Sequence, residues 1–343
     1  MKEMVEFDNS FANRWTNLAD ERLGTKVLYS TDDFFAEKEN IIKPGRGIFI
    51  HDKYTDRGKW MDGWESRRKR VAGHDFLILK LGGRGLIHGL DIDTNHFLGN
   101  HPPFASVEAA DITMENDGDF ADDLKALEKV SWTEILSRQS LRAGLQNLFK
   151  TKNNEKPFTH VKLHIFPDGG VARFRVFGDV VLDWSNRNSQ ELFDMASVLN
   201  GGQVLHCNDM FFGPKDNLIV PGRGINMGDG WETRRRRMPG NDYVFLKLGH
   251  STVIEKIDID TAHFKGNYPH AFMLEGCRVP QDIHYKNLPS EAWKPLMTQT
   301  LLQPDHLLTI TSGLSSAVVD HVKLNIYPCG GVSRLRLWGK KHR

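Results

Sequence analysis

The sequence has little cysteine, little net charge and no long apolar run, and each shortage removes a class of protein. Its 343 residues hold three cysteines, Cys207, Cys277 and Cys329. None forms a CxxC pair, so neither a disulfide framework nor a zinc-thiolate site is indicated. Lys plus Arg number 45 and Asp plus Glu 44, a net charge of +1. That balance supplies no general attraction to nucleic acid or an anionic membrane. No segment approaches the roughly 20 apolar residues of a membrane span. The start, Met1–Ser10, lacks the apolar stretch of a secretion signal. A soluble protein of the reducing cytoplasm is the expectation. There is no HExxH, no phosphate loop and no GxSxG elbow.

What the sequence does have is itself, twice. Val27–Phe35 matches Val204–Phe212, and Pro44-Gly-Arg-Gly-Ile48 matches Pro221–Ile225, both at an offset of 177. Gly63-Trp-Glu-Ser-Arg-Arg-Lys-Arg70 matches Gly230-Trp-Glu-Thr-Arg-Arg-Arg-Arg237 at 167, and Asp91–Asn100 keeps that offset over Asp258–Asn267. His160–Gly170 matches His321–Gly331 at 161. Between 63–102 and 230–269, 22 of 40 positions are identical, which chance does not produce. The falling offset places ten extra residues of the first copy between Ile48 and Asp62, and six more between Pro102 and Trp132. A fixed-order repeat of this length is a duplicated domain. We place the copies at 1–185 and 190–343, with the boundary inside the polar stretch Asp183–Gln190.

Alternation marks strands. Val161, Leu163 and Ile165 face one way and His160, Lys162 and His164 the other. Pro167-Asp-Gly-Gly170 is a turn signal, predicting a hairpin that sets His164 opposite Arg173 and Leu163 opposite Phe174. Phe76–Leu81 and Leu86–Thr94 read as two further strands. Ser131-Trp-Thr-Glu134 fits a capping box leading into Ile135, Leu136 and Leu141. Trp293, Leu296, Met297 and Leu302 repeat that spacing, so one short helix per copy is expected. Many short strands with little helix predict a mainly β protein of two tandem jelly-roll β-sandwiches.

Candidate chemistry is also duplicated. Arg67 and Arg68, with Arg234 and Arg235, are guanidinium forks suited to a carboxylate. The plainer reading is a solvated basic loop tied by Glu65 and Glu232. Asp91 and Asp93, like Asp258 and Asp260, share a strand face and suit acid/base work if their pKa values are split. Alternatively they pair with Lys162, Arg173 and Arg175. His96 and His263 follow in loop-like stretches and suit proton transfer near neutral pH. Asn100 and Asn267 offer amides. Metal spacing is poor, so a divalent metal ion is left open rather than assigned.

Together, Gly-Trp-Glu-Ser/Thr-Arg-Arg-Lys/Arg-Arg, Asp-Ile-Asp-Thr-x-His-Phe-x-Gly-Asn-x-Pro and Pro-Asp/Cys-Gly-Gly-Val-x-Arg-x-Arg, each present twice over most of the chain, resemble the allantoicase family, its fungal members in particular. The resemblance implies galactose-binding-domain-like jelly rolls and hydrolysis of allantoate, a small anion, to ureidoglycolate and urea in purine degradation. Weighing that substrate against the repeated residues makes Glu65, Asp93, His96 and Asp168, with Glu232, Asp260 and His263, the catalytic candidates, Glu65 or Asp93 as base and His96 as acid. Arg67, Arg68, Asn100 and Arg173, with Arg234, Arg235, Asn267 and Arg334, would bind substrate. Cys329 stands where the motif has Asp168, and Asn325 replaces His164, so the copies are expected to be unequal and the first to be the better candidate. The rival class is a non-catalytic module binding carbohydrate or a small anion, for which Trp60, Trp64 and Trp231 would have to be exposed. A homo-oligomer is a mild expectation.

Overall fold

The computed structural model describes residues 14–112, 129–152, 155–280 and 284–342. The Met1–Ser10 start and most of the six-residue length change after Pro102 lie outside them. The chain divides into two compact units, Met1–Val181 and Leu182–Arg343.

In the first unit the main strands are β1 (Lys26–Ser30), β2 (Asp75–Asp93), β3 (Phe104–Ala110), β4 (Thr133–Ser140), β5 (Gln146–Lys150), β6 (Pro157–Phe166) and β7 (Arg173–Val180). All pairings are antiparallel. The first half of β2 lies between β1 and β6, and β3 and then β4 follow β6 outward. The second half of β2 lies between β5 and β7, with Thr16–Asn17 beyond β7. One 19-residue strand therefore serves both layers of a sandwich. The two strands expected at Phe76–Leu81 and Leu86–Thr94 are one, because Gly82 and Gly85 let it turn while staying paired. A Cβ at Gly82 would meet Leu23 at 2.5 Å, and one at Gly85 would meet Leu18 at 2.6 Å.

The second unit repeats this with β8 (Gln203–Cys207), β9 (Asp242–Asp260), β10 (Ala271–Cys277), β11 (Leu307–Ile310), β12 (Val318–Tyr327) and β13 (Arg334–Gly339). Here β9 pairs with β8 and β12 along its first half, and with β11 and β13 along its second. Both cores are filled by the inward-facing residues of these strands, Leu77, Leu79, Val161, Leu163, Ile165, Phe174 and Val176 in the first unit, all fully buried. The alternation expected of Val161, Leu163 and Ile165 holds, although His160 on the opposite face is buried as well.

Two expectations are corrected. Neither segment predicted as a short helix is one. Ser131–Leu141 contains strand β4, whose partners step from Leu136 to Glu134 across Val107 and Glu108, leaving Ile135 as the extra residue of a bulge. The bulge turns Ile135 and Leu136 inward together, and adjacent apolar residues imitate a helical stripe. Around Trp293 the chain forms the short strands Lys294–Pro295 and Thr300–Leu301 against β10. Helical residues among those described are 3-10 turns of three to five residues, such as Glu21–Leu23 and Lys38–Ile42. Nor do β6 and β7 form a hairpin. His164 lies across from Phe76 and Ser106, whereas Arg173 lies across from Asp93. After the turn, Gly170–Val171 pairs with Trp64–Glu65 and carries the chain from one layer to the other. Among the described residues, no helix is long and apolar enough to cross a membrane.

Candidate active site

The Trp-Glu block folds around its tryptophan. Trp64 is fully buried, and its indole donates to the Asp32 carbonyl at 2.8 Å; Trp231 does the same to Asp209 at 2.8 Å. These indoles are therefore core and unavailable to a sugar. The basic stretch that follows is pinned at every second residue. Arg67 donates from its backbone to the Asp32 carboxylate at 2.8 Å and from its Nε at 2.6 Å. The Lys69 amide donates to Asp168 at 2.7 Å, and the Lys69 ammonium pairs with Asp75. Arg68 and Arg70, between and beyond the pins, stay exposed. In the second copy Arg234 binds Asp209 at 2.9 and 2.8 Å, the Arg236 amide donates to Cys329 Sγ at 3.1 Å, and Arg235 is exposed. The thiol thus makes the tether that Asp168 makes in the first copy.

These loops border a cleft in each unit, about 660 Å³ in the first and about 580 Å³ in the second. Glu65, Arg67, Arg68, Asn100, His101 and Asp168 line the first. Glu232, Arg235, Asn267, Tyr268, His270 and Cys329 line the second. Both volumes suit a small molecule. At the centre of each is a carboxylate held by an amide: Asn100 Nδ2 donates to Glu65 at 2.6 Å, and Asn267 Nδ2 to Glu232 at 2.6 Å. Burial raises the Glu65 pKa above the usual carboxylate value, and the Asn100 hydrogen bond opposes part of that rise.

Other sequence candidates lie away from the cleft lining. Asp93 accepts two bonds of 2.9 Å from Arg46, and Asp260 accepts one of 3.1 Å from Arg223, fastening the Pro-Gly-Arg-Gly loops. Arg173 is buried against Asp62 at 2.7 Å and Arg334 against Asp229 at 2.7 Å. Arg175 donates to the carbonyls of Lys43 and Gly45. Asp91 is 2% exposed and takes a 2.6 Å bond from Gln146. Burial, aided by the charge of Asp93, pushes its pKa to about 7. Asp93 and Asp260 are therefore tied to loops far away in sequence, and Asp91 to Gln146 on β5.

His96 and His263 both hold left-handed backbone, φ 69° and 71°. Such strain in a non-glycine residue costs about 1–3 kcal/mol and tends to persist where a site requires it. His96 Nε2 lies 3.2 Å from the Gly47 carbonyl, and its ring stacks on Phe49 with centroids 5.5 Å apart. His263 Nε2 lies 2.8 Å from the Gly224 carbonyl. His96 lines a smaller lobe beside the main cleft, together with Lys59, Glu65 and Asn100. The His164-to-Asn325 change falls on a separate polar chain. His74, His164 and Glu108 are linked at 2.8 and 2.9 Å, and Asn241, Asn325 and Glu275 at 3.2 and 2.8 Å, so amides take over a pair of imidazoles. Among the described residues no three His, Cys, Asp or Glu side chains are arranged to hold a metal ion. Sequence reasoning missed Lys59, His101 and His270, which carry no repeated signal. It also missed Asp32 and Asp209, although the Val27–Phe35 repeat contains Asp32.

Comparison with known proteins agrees with this duplicated architecture. The family model described as the allantoicase repeat matches twice, over residues 16–181 and 193–342. A probable allantoicase of Burkholderia mallei is 45% identical over 332 residues, covering 96% of this chain and 95% of that protein. One from Photobacterium profundum is 45% identical over 330 residues, covering 96% and 97%. The crystal structure of allantoicase from Saccharomyces cerevisiae superposes with a TM-score of 0.79 at 38% identity, covering 94% of this chain and 92% of that one. A twice-matched repeat model, relatives matched along nearly their whole length and a shared fold lead to one conclusion: this chain belongs to the allantoicase family.

Proposed function

We propose that this protein hydrolyses allantoate to ureidoglycolate and urea in purine degradation, and that the cleft beside Glu65 carries out the reaction. The observation that bears most on this reading is the half-buried Glu65 carboxylate, held by the exposed Asn100 amide, next to exposed guanidinium groups. Allantoate carries a carboxylate and two ureido groups on one carbon. Arg68 is the fork for the carboxylate, with Arg67 beside it already shared with Asp32. Asn100 orients Glu65 and offers its remaining amide capacity to a ureido group. Glu65, its pKa raised by burial, is the base that takes a proton from water. The water oxygen bonds to the central carbon as one carbon–nitrogen bond breaks. A proton delivered to the departing nitrogen completes urea, and His96, lining the adjoining lobe, is the donor assigned to it.

Glu232, Asn267 and Arg235 reproduce the central constellation in the second repeat. We assign each repeat, 1–185 and 190–343, as one unit, with the first carrying the greater part of turnover. Asp93, Asp260, Arg173 and Arg334 support these sites by holding the loops around them. Asp168 does so by fixing the Lys69 amide. The three free cysteines fit a cytoplasmic setting, and the exposed pairs Phe34–Phe35 and Phe211–Phe212 favour self-association. Urea assayed after incubation with allantoate, with and without a chelator, tests the reaction and its dependence on metal. No urea under any metal condition would return the chain to the class of non-catalytic binding modules. Replacing His96 and His263 separately by Gln tests the proton donor, and full activity in both variants would remove histidine at these positions from the mechanism.

A further inference from the structure

The cleft of the first repeat does not end at Glu65 and Asn100. Phe35, Glu65, Gly99 and Asn100 line both the main cleft and a second lobe of about 370 Å³. The far wall of that lobe includes Lys59, Met61 and His96. Lys59 falls in the stretch between Ile48 and Asp62 where the first copy has ten extra residues. That segment folds as a small hairpin, Tyr54–Thr55 against Gly58–Lys59. The Lys59 ammonium donates to the His51 carbonyl and sits 4.9 and 4.7 Å over the rings of Phe49 and Tyr54. Phe49 in turn stacks on His96. The inserted cation, the aromatic beneath it and the strained histidine thus form one packed wall facing the Glu65–Asn100 pair.

The second repeat builds this region differently. Its chain runs to Asp229 without the extra residues, and at the offset of 167 Lys59 corresponds to Asn226. There the Met227 sulfur lies 3.9 Å from Asn267 Nδ2, against the amide whose counterpart, Asn100, borders the extra lobe. A thioether thus contacts the amide of this repeat, whereas the corresponding amide of the first repeat shares a lobe with Lys59.

We propose that Lys59 is a substrate-binding residue for the departing ureido group, found in the first repeat alone. The inference rests on the allantoate reading above and adds the position of the second arm. With the carboxylate on the arginine side and the central carbon at Glu65, one ureido arm extends into the lobe between Lys59 and His96. An ammonium has three donors, and His51 uses one of them. With Lys59 lining the lobe, the others are available to a carbonyl oxygen on the departing arm. When the carbon–nitrogen bond breaks, its electron pair moves to the ureido nitrogen and is shared with that oxygen. A cation there stabilises the transition state more than the bound substrate. Protonation of the nitrogen then completes neutral urea.

The test compares urea release from allantoate by the parent protein, Lys59→Met, Lys59→Arg and Asn226→Ala, with a thermal melt of each. Methionine keeps an unbranched stem over Phe49 and Tyr54 and removes only the charge. The expected result is a ten- to hundredfold loss of kcat in Lys59→Met with KM changed less than threefold, partial recovery in Lys59→Arg, and parent-like turnover in Asn226→Ala. A kcat within twofold of the parent in Lys59→Met overturns the proposal. So does Lys59→Arg being as slow as Lys59→Met while melting like the parent, or Asn226→Ala being equally slow. If Lys59→Met melts lower, the arginine variant decides between charge and packing. A parent protein that releases no urea overturns the hydrolase reading itself, a failure distinct from an active parent that is indifferent to Lys59.

Discussion

Asn100 and Glu65 are joined by a 2.6 Å hydrogen bond that Asn267 and Glu232 repeat at 2.6 Å in a sequence-related cleft. Equal bonds in unequal surroundings make the carboxylate the place to ask which repeat works. Glu65→Gln keeps an acceptor for Asn100 and removes the base. It is expected to lower kcat for urea release by a factor of about 100 or more, within the range usual for loss of acid–base catalysis. Glu232→Gln, in the repeat without the ten-residue insertion, is expected to cost less than about tenfold on the same scale. Steady-state assays of both variants check this, and a larger loss in Glu232→Gln would reverse the assignment of the working repeat.

Arg68 is exposed and lies between Arg67 and Lys69, which are tied to Asp32 and Asp168. Arg68→Met should weaken capture of the substrate carboxylate. A charged hydrogen bond is worth about 1.5–3 kcal/mol, so KM should rise roughly ten- to hundredfold with a smaller change in kcat. Initial rates over a range of allantoate concentrations would show it, and an unchanged KM would place the carboxylate elsewhere.

Asp91 links pH to stability. Its folded pKa of about 7 lies above the ordinary value of 3.8, so between these limits the folded chain holds a proton that the unfolded chain has released. Stability from this group is fully present below about pH 4, falls as pH rises toward 7 and levels off above it. Asp91→Asn keeps an acceptor for Gln146 and should remove that slope. Urea denaturation midpoints of the two proteins between pH 4 and 8 measure it, and parallel curves would show that Asp91 titrates as an ordinary carboxyl.

Gly170 lies against Phe97, where an added Cβ would sit 2.0 Å from ring carbons, and Gly331 stands in the same relation to Phe264 at 2.1 Å. Gly170→Ala must displace a fully buried ring. It is expected to destabilise the first repeat by about 1–3 kcal/mol, and a melting temperature equal to the parent would show that the ring can move at little cost.

Much of this was legible in the sequence because duplication doubles every signal. The paired blocks located Glu65, Asn100, Arg68 and their counterparts, and alternation oriented Val161, Leu163 and Ile165. The hairpin expected between β6 and β7 failed for a reason no local pattern contains. The partner of each strand is β2, and the turn at Pro167 serves a change of layer. The helix expected at Ser131 failed because a bulge sets Ile135 and Leu136 side by side on the buried face. The roles expected of Asp93 and Arg173 depended on what lies across from them in space, and Arg46 and Asp62 come from a loop that pattern alone does not place. Lys59 went unnoticed because it falls where the repeat is interrupted.

The strand shared by both layers has a consequence for how each half of the molecule is made and lost. In the first repeat β2 waits for β6 and β7, which are synthesised long after it, so neither layer can close until nearly the whole repeat has emerged. The same strand denies the layers separate lives afterwards. Peeling one away exposes the other, so amide hydrogens along Leu77–Ile92 should exchange with solvent through a single common opening rather than in two groups. Each repeat then has no half-open form in which one layer keeps its part of the cleft, and the cleft is present whole or not at all.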